Sequence, residues 1–148
     1  MTIQFVDSRI SSQADTDEAV LVTIPVAATP LLFGDIGIQT AGVEVANQGL
    51  VRVQLTGFVK VVVGPQFGSV TIQVFREGIL IFTSTYTAVE ALENEMLGFS
   101  AIDFPSAAYV ANGQIRYTAL IFTAFPNPAT TAGARNFSGF ATAGNFTG

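Results

Sequence analysis

From Val51 to Val63 the apolar side chains fall on alternate positions, Val51, Val53, Leu55, Val59, Val61 and Val63, with Arg52, Gln54, Thr56 and Lys60 between them. A two-residue period puts one set on each face of a strand, so this stretch predicts a long strand with one face in a core. A helix cannot use that pattern. Gly64-Pro65 ends the strand, because proline donates no ladder hydrogen bond. Val70, Ile72 and Val74 repeat the alternation, and Ile79 to Tyr86 follows across Arg76-Glu77-Gly78. Three such runs with short connections predict an antiparallel meander.

The same reading covers the remaining chain. Val20 to Ile24, closed by Pro25, predicts a strand; Pro30 to Gly34 begins an irregular connection through Ile36 and Ile38; Val43 and Val45 form a short strand ending at Asn47-Gln48-Gly49. Ala88 to Glu95 has helix-forming composition but is short, and reads as a loop or a single turn before a strand from Met96 to Phe104. Pro105 stops that strand, and Asn112-Gly113 suits a tight turn with positive backbone angles. Gln114 to Phe125 carries Ile115, Tyr117, Ala119 and Ile121 on one face and Leu120 and Phe122 on the other, so its second half should be covered on both sides. Residues 126–133 read as a loop and Arg135 to Ala143 as the last strand. Eight to ten short strands with hardly any helix predict an all-β chain, an antiparallel sandwich or jelly roll.

Residues 1–18 stand apart from the domain expected from residue 19 to 148. Ile3 and Phe5 alternate with Gln4, but after Ile10 the stretch Ser11 to Glu18 is polar, acidic and free of bulky groups. Two readings stand: an ordinary chain end, or a connector arm whose Ile3, Phe5, Val6 and Ile10 dock on another subunit by strand addition.

Composition sharpens the second reading. Of the 148 residues 49% are hydrophobic and 11% charged, against about 25% charged in an ordinary soluble domain. One domain of this length buries roughly two-thirds of its unfolded surface, and so few charges cannot cover the rest. The outer faces must therefore be clad in small polar residues or lie against other copies of the chain. The net charge is -5 with Lys60 the single lysine, which is no footprint for nucleic acid. No apolar run is long enough to span a bilayer, and the first dozen residues lack the pattern of a classical signal peptide.

The chain has no Cys and no His, which removes disulfides, thiolate nucleophiles, the usual zinc ligands and the commonest general base. No catalytic residue, metal or cofactor is expected. Glu90, Glu93 and Glu95 lack the spacing of a calcium loop and read as a solvated acidic edge, as do Asp15, Asp17 and Glu18. Asn136-Phe137-Ser138 and Asn145-Phe146-Thr147 match a glycosylation acceptor pattern that is common by chance.

Gly49 to Thr56, entering the long strand, then Val70 to Phe82 with Glu77-Gly78 at its turn, and finally Phe137-Ser138-Gly139-Phe140, together resemble the jelly-roll head of the complement-collagen and tumour-necrosis-factor superfamily, including its versions in spore-forming bacteria. The resemblance implies a trimer whose first and last strands lie near the threefold axis. It would bring Val20 to Ile24 close to Phe137 to Phe140 with Ile121-Phe122 nearby, and make Val20, Val22, Ile121, Phe122, Phe137 and Phe140 the ring interface. A head with a short arm and no collagen stalk resembles the subunits of endospore appendages, fibres on the surface of a bacterial spore (exosporium or coat). That likeness implies homo-oligomeric partners, with anchor and tip proteins besides. A trimeric ligand-binding or adhesive head, with specificity in the loops Pro126 to Ala134 and Thr87 to Asn94, is the alternative. A viral capsid or tail jelly roll is the third reading.

Overall fold

A computed structural model describes residues 3–16, 21–65, 68–90, 92, 94–124 and 130–145. Its strands are β1 (Gln4–Ala14), β2 (Val22–Thr23), β3 (Leu31–Gln39), β4 (Val51–Val62), β5 (Ser69–Arg76), β6 (Ile79–Thr87), β7 (Asn94–Asp103), β8 (Gln114–Thr123) and β9 (Thr131–Ala143). One sheet runs β1-β9-β4-β7, with β2 also on β9, and the other runs β3-β8-β5-β6. All strand pairs are antiparallel. From β3 onward the chain changes sheet at every connection except the β5–β6 hairpin, which makes the all-β sandwich a jelly roll.

Alternation explains the core. Val51, Val53, Leu55, Val59 and Val61 of β4, Val70, Ile72 and Val74 of β5, and Ile115, Tyr117, Ala119 and Ile121 of β8 are all buried between the sheets. Four phenylalanines bind the layers together: Phe99 of β7 stacks on Phe82 of β6 (5.6 Å between ring centroids) and on Phe137 of β9 (6.1 Å), and meets Phe33 of β3 edge-on at 6.3 Å. Glycines make room for these rings. A Cβ on Gly57 would lie 2.8 Å from the Phe99 ring, and one on Gly34 would collide with Phe137. In the closing Phe-Ser-Gly-Phe stretch, a Cβ on Gly139 would come within 2.7 Å of Ile36.

Several expectations are corrected. β4 and β5 lie in opposite sheets, so the three runs form a hairpin and a crossing rather than a meander; the Gly64-Pro65 turn carries the chain over the edge, with the Gly64 N–H donating to Thr130 Oγ1 at 3.0 Å. The stretch expected to be irregular is β3, whose buried Phe33, Ile36 and Ile38 line the core. Val45–Leu50 is a 3-10 helix, not a strand end, and Ala107–Ala111 is a short α-helix, α1. Of the strand expected over Val20 to Ile24, β2 takes in Val22–Thr23 among the described residues, and the Ile24 N–H beyond it donates to the Thr130 carbonyl at 2.9 Å. The turn residues behave as expected at Gly113 (φ 88°) but not at Asn112, which is right-handed.

The largest correction concerns the connector arm. Gln4–Ala14 is an edge strand of the sandwich, opposite β9 from Gln4↔Ala143 to Ala14↔Arg135, so no boundary at residue 19 separates it from the domain. Its polar side chains have partners across the seam to β3. Asp7 Oδ2 accepts from the Gln39 N–H at 2.8 Å, and the Asp35 N–H donates to Ser11 Oγ at 3.3 Å.

Candidate assembly surface

Strand register lays out the outer face of the five-stranded sheet in rows. Phe5 of β1 stands beside Thr142 of β9 and Arg52 of β4; Ser8 beside Phe140, Gln54 and Ile102; Ile10 beside Ser138, Thr56 and Ser100. Arg52 is the one ionisable side chain in these rows. Large apolar groups on this side face solvent: Ile10 is 77% exposed, Phe5 and Ile102 59% each, Ile3 49% and Phe140 46%. The Phe5 and Phe140 rings lie 5.5 Å apart. A shallow depression of about 270 Å³ opens between Ile3, Arg52, Gln54, Ile102, Phe140 and Thr142. Scattered exposed apolar residues are ordinary, but a contiguous group on a face this poor in charge marks a contact surface.

The residues expected at interfaces divide. Ile3, Phe5 and Ile10 are exposed on or beside this face, while Val6 is half-buried and packs against the core. Phe140 joins Phe5. Phe137 and Ile121 are fully buried and are core residues, which corrects their assignment to a ring interface. Phe122 is half-buried on the opposite sheet, opposite Thr71 of β5. Val22 pairs with Ala132, at the other end of β9 from Phe140, so the expected approach of Val20 to Ile24 to Phe137 to Phe140 does not occur among the described residues; Val20 lies outside them. Residues 126–129 of the first candidate loop, and Ala91 and Glu93 of the second, also lie outside them. Ile102 was not singled out from sequence. Its signal was the alternation of β7, where Leu97, Phe99, Ala101 and Asp103 turn inward and Met96, Ser100 and Ile102 outward.

Between the sheets, next to this face, lies a polar cluster. Arg76 Nη1 of β5 donates to Asp103 Oδ1 of β7 at 2.6 Å, and the Tyr117 hydroxyl of β8 donates to Asp103 Oδ2 at 2.7 Å. The Arg76 guanidinium also sits 4.7 Å from the centre of the Tyr109 ring. Burial, and then the bond to Asp103, push the Tyr117 hydroxyl far above its ordinary range, so it remains a neutral donor. Burial works against the Arg76 charge, but the hydrogen bond and charge of Asp103 outweigh it and raise its pKa. The cluster clamps β7 to β5 and β8 across the sandwich.

On β1, burial opposes ionisation of Asp7, but hydrogen bonds from Arg9, Gln39 and Ser8 prevail and hold its carboxyl below the ordinary value of 3.8. A carboxylate depressed in the folded state adds stability above its unfolded pKa and loses that contribution as pH falls through the folded one. Asp7→Asn should therefore be destabilising near neutral pH, and its difference from the parent chain should vanish towards about pH 2. Urea titrations of both chains across that range check this; a difference that stays constant with pH would count against the Asp7 seam. Among the described residues no group of three or more Asp, Glu, His or Cys is placed to hold a metal ion.

No family model and no curated protein matches this chain. Among solved structures, dimeric latent PorU from Porphyromonas gingivalis is similar with a TM-score of 0.56 at 10% identity, over 96% of this chain and 13% of that one. The VP2 subviral particle of infectious bursal disease virus gives 0.46 at 9% identity, over 93% of this chain and 36% of that one. The CBM36-1 domain of a multidomain xylanase from the hindgut metagenome of Trinervitermes trinervoides gives 0.45 at 8%, over 90% and 96%. This chain thus spans a small part of the first two. The likeness to PorU is one of β-sandwich fold.

Proposed function

We propose that this chain is a structural subunit that self-assembles, through its N-terminal segment and the outer face of the β1-β9-β4-β7 sheet, into a fibre of stacked jelly-roll rings. On the resemblance carried by Gly49 to Thr56, Val70 to Phe82 and Phe137 to Phe140 the rings are trimers, and on that of a head with a short arm and no collagen stalk the fibre is an appendage on a bacterial spore surface, with anchor and tip proteins as further partners. The observation that carries this reading is the exposed group Ile3, Phe5, Ile10, Ile102 and Phe140 on one sheet face of a chain with 11% charged residues. Covering such surface drives association at about 25 cal/mol per Å² of apolar area removed from water. Closed rings joined head to tail by a heterologous contact do not terminate, so they extend into a filament.

The test is a charge placed on the face. Ile102→Asp with Phe140→Asp should bring the species in solution down to the 15.5 kDa single chain. Its unfolding free energy should change by no more than about 1 kcal/mol, because neither side chain is buried. Size-exclusion chromatography with light scattering and negative-stain imaging read the outcome. Assemblies of unchanged size from the double variant would remove this face from the interface.

A further inference from the structure

β6 differs from the other strands that end a sheet. β1 carries Asp7 and Arg9, β3 carries Asp35 and β7 carries Glu95, whereas Ile79 to Val89 holds no charged residue, no proline and no glycine. Charge, proline, bulges and cover are what keep an edge from pairing with foreign chains. A register shift disturbs β6 only near its start, between Val74 and Phe75 of its partner, and leaves Phe82 to Thr87 in unbroken register with β5.

Two hydrogen bonds show what that run offers. The Ala88 N–H donates to the Gly68 carbonyl of the β5 side at 3.1 Å, and the Ser69 carbonyl, one residue along, turns the other way to accept from the Ala124 N–H at 3.2 Å. Backbone groups alternate sides along an antiparallel strand. Counting back from Ala88, the even residues of β6 therefore face β5, while Thr83, Thr85 and Thr87 hold their N–H and C=O groups at the outer edge. No strand among the described residues pairs with that edge.

Behind the edge the two sheets part. β6 and β7 close their sheets on the same flank, where the Phe82 and Phe99 rings stack, and beside that stack a hollow of about 250 Å³ opens over Val70, Ile72, Tyr86, Met96, Leu97 and Phe99. Ser84 lines it as well. It stands opposite buried Ile72, on the inner side of β6 with Phe82 and Tyr86, and yet it is exposed.

These two features select one kind of occupant. A row of outward N–H and C=O groups is answered by an extended backbone, and a strand added there would turn alternate side chains into the hollow. The hollow is mostly apolar and no charge lies between Ile79 and Val89, so the side chain it takes is apolar and uncharged. A second copy's β6 does not supply one, because its own Phe82 and Tyr86 are packed against its own core.

We propose that the outer edge of β6 is a strand-addition site for an extended, uncharged peptide segment of a partner protein, with one bulky apolar side chain seated in the hollow at Ser84. The site goes beyond the self-assembly reading and does not depend on it. A segment bound there leaves Phe5, Ile10 and Phe140 uncovered on the other sheet.

The probe is a blocked, fluorescein-labelled heptapeptide that alternates threonine with valine around a central phenylalanine. Fluorescence anisotropy should show saturable binding to the full chain and to its Ile102→Asp, Phe140→Asp variant. Thr85→Pro removes an edge N–H that the β5 ladder does not use, and should weaken binding at least about fivefold, roughly the worth of one hydrogen bond. Ser84→Phe, which fills the hollow, should weaken it as much, and a peptide with aspartate for phenylalanine should bind at least about tenfold more weakly. Urea midpoints of both variants confirm that they fold. Saturable binding to a chain that never assembles would support the site while the self-assembly reading falls. No binding, or binding that both substitutions leave unchanged, would overturn the site and leave self-assembly standing. Peptide-free dimers of the Ile102→Asp, Phe140→Asp chain that Thr85→Pro dissolves would give the edge to a second copy and overturn the partner.

Discussion

Phe137→Ala is expected to lower the unfolding free energy by about 3–5 kcal/mol, the range for an aromatic side chain removed from a well-packed core. Phe137 is fully buried, stacks on Phe99 at 6.1 Å and fills the space that Gly34 leaves open. Its neighbours cannot close the hole, because Phe99 is also engaged by Phe33 and Phe82. Urea denaturation should show a lower midpoint with an unchanged slope. The neighbouring Phe140→Ala, half exposed, should cost under about 1 kcal/mol. Equal losses at the two positions would contradict the division between core and contact face.

Asp103→Ala should be of comparable size for a different reason. It leaves the mostly buried Arg76 charge and the Tyr117 hydroxyl without the acceptor that both now use. Breaking a buried ion pair by removing one partner costs about 3–5 kcal/mol, since the other charge stays desolvated. Replacing all three polar groups together, as Asp103→Leu, Arg76→Met and Tyr117→Phe, should recover most of that loss. A loss below about 1 kcal/mol for Asp103→Ala would mean the cluster behaves as a surface ion pair.

The strands that alternate cleanly were legible from residues alone. β4, β5, β8 and β9 each follow an apolar row that the fold buries, while β6 and β7 bring partly buried side chains, Phe82, Leu97 and Phe99 among them, against that core. β3 was not legible, because Gly34 and Gly37 interrupt its apolar positions. Gly34 sits where the Phe137 ring arrives from the other sheet, a contact no local pattern displays. In sequence Gln4–Ala14 reads as arm and tether because the stretch after Ile10 is polar, acidic and free of bulky groups. In the fold, Asp7 and Ser11 satisfy backbone groups of β3. The contact face was half legible. Ile3, Phe5, Ile10 and Phe140 read as contact residues from sequence and are exposed in the fold, whereas Ile121 and Phe137 read the same way and are buried. A strand apolar on both faces does not say which face turns inward, and only its register against neighbouring strands decides that.

Sedimentation velocity of the full chain over a hundredfold range of concentration tests the central claim most directly. If the apolar face of the β1-β9-β4-β7 sheet is a contact surface between copies, the sedimentation coefficient should rise with concentration into closed rings and longer assemblies. A single 15.5 kDa species throughout, with no faster boundary at the highest concentration, would contradict it.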